Sequence, residues 1–377
     1  MTNSDITAAY YGVDPVNKIY LGDELVWPTT PPDPYLSMPL TFDIISGGSI
    51  GLASTFNTTT RYRYQINDGE ILTGSVTTAY TYVNLNEGDT IKIWGERNGQ
   101  NGGLTVRPDN NSYFNIYGNV GSLVENYNFH TGIGLGLEGK HVINAENLVM
   151  PIRDFDCYHL FSGCTDLIAA PKTVVCLDCR EMFAGCTSLT TPPELPETVL
   201  RTNCYSYMFK GCTSLTTAPE LPATILTNNC YSYMFEGCTS LTSAPVLPAT
   251  TLKQACYSYM FNGCTSLTNA PVLPATTLAD SCYKYMFKGC SSLTTAPELN
   301  APQIRYRSYV GMFQNCTSLN YVKCLATYWA PDDDLTDSWL SGVAATGTFV
   351  KYPNAEWRTD LGGDSIPTGW TVQDATI

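Results

Sequence analysis

CYSYMFEGCTSLTSAPVLPATTL, residues 230–252, decides the fold. Almost the same string starts at Cys204, Cys256 and Cys282. The second cysteine of the string recurs at Cys186, Cys212, Cys238, Cys264, Cys290 and Cys316, each 26 residues after the last, and Cys164 precedes the series by 22. A strict period of this size is the signature of a solenoid, in which each repeat is one turn stacked on its neighbours. Within a turn, SLTTAPEL reads as a short strand stopped by Pro222. Leu226, Cys230 and Met234 then fall at i, i+4 and i+8, the spacing of one helix face, with Gly237 placed as its C-terminal cap. The expected fold is therefore mixed α and β.

Outward from the repeats the composition changes. Residues 1–28 hold two β-prone runs, 18–21 and 24–27, around Gly22-Asp23, a hairpin signal. Such a hairpin is too small to bury a core, so Ile19, Tyr20, Leu25, Val26 and Trp27 are expected to anchor the chain on a partner surface. Residues 29–35 form a proline-rich linker. Residues 36–125 carry strand-like runs (LTFDII, RYRYQI, YTYVNL, TIKIWGE, YFNIYG) separated by glycine turns, which suggests an antiparallel β-sandwich. Residues 126–156 are a transition, 157–324 the solenoid and 325–377 a C-terminal cap. In the cap, APDDDLTDSWLSGV reads as a capped helix ended by Gly342, and GTFVKY and GWTVQD as closing strands.

The 377 residues include 44% hydrophobic but only 14% charged residues, with a net charge of -14. Ordinary domains hold about 25% charged residues, so uncharged polar side chains must cover this surface. The negative charge argues against nucleic-acid binding. No apolar run of membrane-spanning length exists, so membrane insertion is not expected. The N-terminus MTNSDITAAYYGVD lacks the basic start and apolar core of a signal peptide, so export by the usual secretory route is not expected either.

Chemistry-bearing motifs are absent. The three histidines, His130, His141 and His159, form no HExxH, there is no GxSxG or Walker sequence, and Asp332–Asp334 lack EF-hand spacing. No catalytic residue, cofactor or metal is assigned. The 15 cysteines allow buried thiols, disulfides or metal sites. Their columns fall where a turn needs a small apolar group, which favours buried free thiols. The one CxxC, at Cys176 and Cys179, has no second pair to complete a metal site. The tyrosine columns Tyr205/231/257/283 and Tyr207/233/259/285 read as packing between turns, one column with its hydroxyls at the rim, against the alternative of a sugar-stacking strip.

What varies from turn to turn is the rim. One column reads Lys210, Glu236, Asn262, Lys288. The triplet ahead of the CYSYMF segment supplies Asn228 and Asn229, then Lys253 and Gln254, then Asp280, then Arg305 and Arg307. These are either unconstrained surface or a ligand-recognition face.

GCTSLT leading into the strand, inside MFxGCTSLTxAPxLPATTL, resembles the BspA-type leucine-rich repeat, although several repeats of that family are shorter than 26 residues. The tail from WLSGVAATGTFVKYPNAEW to IPTGWTV resembles the segment that closes such arrays. KIYLGDELVWP with YQINDGE resembles the front end of virion proteins of tailed phages infecting gut Bacteroidales, including crAss-like phages. The resemblance implies a non-enzymatic virion protein, a fibre or receptor-binding component assembled in the host cytoplasm. It would contact other virion proteins through its N-terminal region and a host-surface protein or glycan through the solenoid, and could act as a homo-oligomer. The alternative is a bacterial cell-surface adhesin of the BspA type.

Overall fold

The computed structural model describes residues 20–21, 24–25, 39–54, 60–95, 104–119, 135, 137, 139–150, 157–175, 178–327, 335–357 and 364–376. Among them every regular element is a β-strand and there is no α-helix. The expected mixed α and β fold is thus corrected to an all-β one with a β-solenoid, and the reason lies in the segment read as a helix.

That segment is a ribbon of overlapping turns. In residues 229–238 alternate amides bond backwards by three residues: Ser232 to Asn229, Met234 to Tyr231, Glu236 to Tyr233 and Cys238 to Phe235, at 3.1–3.3 Å. The amides between them donate to the next turn of the solenoid: Asn229 to Gln254, Tyr231 to Cys256, Tyr233 to Ser258, Phe235 to Met260 and Gly237 to Asn262, at 2.7–3.0 Å. Every fourth residue takes a left-handed backbone, with φ of 54° at Asn229, 58° at Tyr233 and 73° at Gly237. The ribbon therefore repeats every four residues. An α-helix repeats every 3.6, so a four-residue stripe drifts by about 40° per step and leaves a helix face after three steps. Leu226, Cys230, Met234 and Cys238 keep that four-residue spacing, and all four are buried. Gly237, read as a helix cap, is the last left-handed position of the ribbon.

The ribbon recurs in each turn, and its bonds to the neighbour always run toward the C-terminal side, from Cys157 to Asp178 at the start through Asn315 to Ser341 at the end. The opposite wall is sparsely bonded. It holds single parallel bridges such as Thr217 to Ser243 to Asn269 and Val199 to Ile225 to Thr251 to Thr277. Prolines at 219, 222, 245 and 248 remove amides from that wall.

Side chains repeat with the ribbon and form ladders. Phe161, Phe183, Phe209, Phe235, Phe261, Phe287 and Phe313 stack at 5.4–5.7 Å, each fully buried. Each such ring contributes about 1.5–3 kcal/mol of apolar burial. Tyr205, Tyr231, Tyr257, Tyr283 and Tyr309 form a second buried stack at 5.9–6.4 Å, continued by Trp339. The hydroxyls of Tyr205, Tyr231 and Tyr257 are buried, so this is not the column with its hydroxyls at the rim.

Ahead of the solenoid, β1 (Tyr20–Leu21) and β2 (Glu24–Leu25) pair antiparallel, with Tyr20 opposite Leu25. Ile19, Val26 and Trp27 lie outside the described residues. Two sheets follow. They are built from β3 (Leu40–Ser46), β4 (Gly48–Ser54), β5 (Thr60–Ile66), β6 (Leu72–Val76), β7 (Thr81–Leu85), β8 (Thr90–Gly95), β9 (Leu104–Pro108), β10 (Tyr113–Asn119), β11 (His141–Asn144) and β12 (Leu148–Val149). One has the order β11-β10-β3-β8-β5-β6 with β12 also on β10, and the other β7-β4-β9. β10 is antiparallel to β3 but parallel to β11 and β12. It is the strand on which the parallel stack begins, since Asn144 at the end of β11 bridges Ala169 in the first repeat. The solenoid thereby covers a sheet edge that would otherwise stay open. One hydrophobic core runs without a break from Leu40 to Trp370.

At the far end, the segment read as a capped helix is another ribbon. Trp339 donates to Thr336 and Ser341 to Ser338, while Leu335, Asp337, Trp339 and Ser341 accept from the turn before. Three parallel strands close the array: β13 (Tyr321–Cys324), β14 (Gly347–Lys351) and β15 (Trp370–Asp374).

Candidate functional site

The cysteines belong to the core. Thirteen are free and buried. In the column from Cys186 to Cys316 each thiol donates to the carbonyl of a phenylalanine in the turn before, as Cys212 to Phe183 at 3.2 Å and Cys264 to Phe235 at 3.1 Å. That carbonyl already accepts a ribbon amide, so the thiol fills its second lone pair. This is a use for cysteine that alanine could not meet. Burial pushes the Cys238 and Cys316 thiols up to about 12, away from the reactive thiolate form. The free-thiol expectation is corrected at Cys179, which is disulfide-bonded; Cys176 lies outside the described residues.

The rim is formed by the outward residues of the ribbon. Tyr207, Tyr233, Tyr259 and Tyr285 sit at left-handed positions, φ 54–59°, and stack at 4.4, 4.4 and 4.7 Å. Each inner ring is sandwiched between two others, so the ladder shows ring edges and hydroxyls, not open faces. A stacked sugar is therefore not what it is shaped for. Burial raises the phenol pKa values of Tyr207 and Tyr259. The stack ends at Gly311, φ 58°, where an added Cβ would lie 2.0 Å from the Tyr285 ring. The last tyrosine leans over a residue that must stay glycine.

The rim column singled out in the sequence is partly self-satisfied. Lys210 pairs with Glu236 at 2.9 Å, and the Asn262 amide donates to the same carboxylate at 2.8 Å. Lys288 instead lies over the Tyr285 ring, 5.0 Å from its centre. Of the triplet residues, Asn228, Lys253 and Gln254 are exposed, and Asn229 is half-buried with its carbonyl taking the Ser206 hydroxyl at 2.6 Å. Asp280 pairs with Arg305 at 3.4 Å, and Arg307 stacks on Tyr306 at 5.0 Å. The fold thus joins Lys210, Glu236 and Asn262 in one chain of contacts, and Asp280 and Arg305 in another.

Lys284 was missed. Its ammonium lies 5.5 Å from the same Tyr285 ring centre. The signal was available, because the equivalent positions one, two and three turns earlier are Ser258, Ser232 and Ser206. The proline-rich wall was missed as well. It exposes Val246 and Val272, at 78% and 79%, in a column whose other members are Glu194, Glu220 and Glu298.

The repeats match a known family by their sequence. Residues 158–294 and 228–328 fit the BspA type leucine rich repeat region, in six copies. Comparison with curated proteins and with solved structures gives no match. The match falls on the turns whose ribbons, thiol column and phenylalanine ladder build the solenoid, so what this chain shares with the BspA type leucine rich repeat region is its repeat segment, residues 158–328.

Proposed function

We propose that the protein is a non-enzymatic recognition protein whose solenoid rim binds a surface ligand. One observation carries the reading. The buried ladder positions repeat the same residues from turn to turn, whereas the rim over them changes from Lys210 to Glu236 to Asn262 to Lys288. Stacking alone needs no such variation, and a binding face does. The match of the repeats to the BspA type leucine rich repeat region supports a surface or adhesin-like role.

The narrower reading is a fibre or receptor-binding component on the particle of a tailed phage. Its support is the likeness of KIYLGDELVWP and YQINDGE to the front end of such virion proteins. The N-terminal segment would dock on other virion proteins, and the solenoid would face a host-surface protein or glycan. Removal of residues 1–30 should leave a folded protein that is absent from purified particles, read by immunogold labelling. Full occupancy of the truncated protein would place the anchor elsewhere. Finding the label on bacterial cells and never on particles would favour the adhesin reading over the virion one.

A further inference from the structure

We propose that Lys284, Lys288 and Tyr285 form a site for the acidic groups of a polyanionic glycan, a saccharide chain bearing carboxylates or sulfate esters. The proposal rests on the reading of the rim as a recognition face. The two ammonium groups lie 5.5 and 5.0 Å from the centre of one ring. Among the described residues the ion pairs on this face include Arg180–Asp178, Lys210–Glu236 and Asp280–Arg305, and neither Lys284 nor Lys288 has one. Two like charges converging on one ring repel each other, and among the described residues no carboxylate pairs with either of them.

The repeat has a neutral solution at both positions and departs from it here. Lys210, equivalent to Lys288 three turns earlier, is answered by Glu236 in the next turn. The three turns before Lys284 use serine at its position, and in the turn before those Arg180 is answered by Asp178 at 2.6 Å. On a chain of net charge -14, an unanswered pair of cations is a local reversal of field that draws an anion.

The surroundings select the kind of anion. Beside the cations runs the Tyr207–Tyr285 ladder, with rings at 4.4–4.7 Å intervals. A regular row of phenol edges suits a polymer that offers hydroxyls at regular intervals. Because the ring faces are taken, stacking gives a neutral sugar little hold, and the acidic group must supply the attachment. A nucleic acid gains less here, because its bases would find no open ring face to stack on.

The test uses the full chain and variants that borrow residues from other turns. K284S/K288N installs Ser and Asn, as at 258 and 262, so the fold should persist. K92S/K172S removes the same charge from outside the rim. Titration with dextran sulfate and polygalacturonate should show wild-type binding that weakens at least tenfold in K284S/K288N and less than twofold in the control. Neutral dextran should not bind. Equal losses in both doubles, or equal binding of neutral dextran, would overturn the proposal. So would displacement by inorganic sulfate, at fixed ionic strength, with the affinity of the glycan's own sulfate groups, since the site would then hold a free anion only. Adhesion of labelled protein to bacterial cells separates the two levels of inference. Adhesion kept by K284S/K288N sinks this site alone, and no adhesion by the wild type sinks the recognition reading.

Discussion

Ala255 offers a substitution whose sign depends on what the repeat segment is. It opens the ribbon of its turn at φ 51°, where the two preceding turns carry Asn229 and Asn203 at φ 54° and 62°. An alanine in the left-handed region costs about 1–2 kcal/mol. Glycine escapes that cost and gives up about 0.4–1 kcal/mol of extra chain entropy on folding. The Ala255 amide donates to Asp280 at 3.0 Å, and its carbonyl takes the Ser258 amide and the Ser232 hydroxyl. All three are backbone contacts that the substitution leaves in place. Ala255→Gly should therefore stabilise the protein by about 0.5–1 kcal/mol. Ala255→Asn should do at least as well, since Asn tolerates this backbone without the glycine entropy. In a helix interior the same Ala→Gly change would cost about 0.8–1 kcal/mol. The assay is equilibrium urea unfolding, with hydrogen exchange of the amides in residues 229–290 to catch unfolding that spreads turn by turn. A loss of about 1 kcal/mol in the glycine variant would refute the ribbon.

Thiol titration of the native protein should find few reactive groups; unfolding without reductant should expose thirteen of the 15 cysteines, and reduction the remaining two consumed by a disulfide. Fifteen thiols before reduction would remove the disulfide at Cys179. Stability should fall on the alkaline side. The Cys238, Cys282, Cys316 and Cys324 thiols are pushed by burial from 9.0 to about 12, so their contribution is intact below pH 9 and is lost between pH 9 and about 12. The slope should be about 1.4 kcal/mol per pH unit for each such thiol, and a flat urea midpoint from pH 8 to 11 would contradict it. Deleting residues 230–255 removes one whole turn and should give a soluble, slightly less stable protein, whereas deleting thirteen residues there should give insoluble protein. Equal behaviour of the two deletions would mean that the turns do not stack in register.

The period of 26 was legible because it is written in identical residues, and the cysteine and phenylalanine ladders follow from it. The backbone between them was not. Cys230, Met234 and Cys238 satisfy both a helix template and a four-residue ribbon over two steps, and only a third step from Leu226 separates them. The tyrosines hid the ribbon further, since Tyr207 and its equivalents occupy left-handed positions where a bulky residue is seldom found. Strands β4, β6 and β9 were missed because GSIGLAS, LTGSV and LTVRP are short and rich in Gly, Ser or Pro. At the rim, residue identity showed which columns vary. It could not show that Lys210 is neutralised across a turn while Lys284 and Lys288 share a ring, because that depends on which neighbour each side chain meets.

The alternate ribbon amides that leave their turn all point the same way, to the turn after it. Peptide dipoles of about 3.5 D therefore add along the stack, as they do in a helix, but over a wall several peptides wide. The C-terminal end of that wall is its positive pole. The Asp364 side chain accepts the amide of Ser338 in the final ribbon, and the Asp364 carbonyl takes the Thr336 hydroxyl at 3.0 Å. The cap thus does for the solenoid what an acidic N-cap does for a helix, placing a carboxylate where the summed field of the stack is most positive.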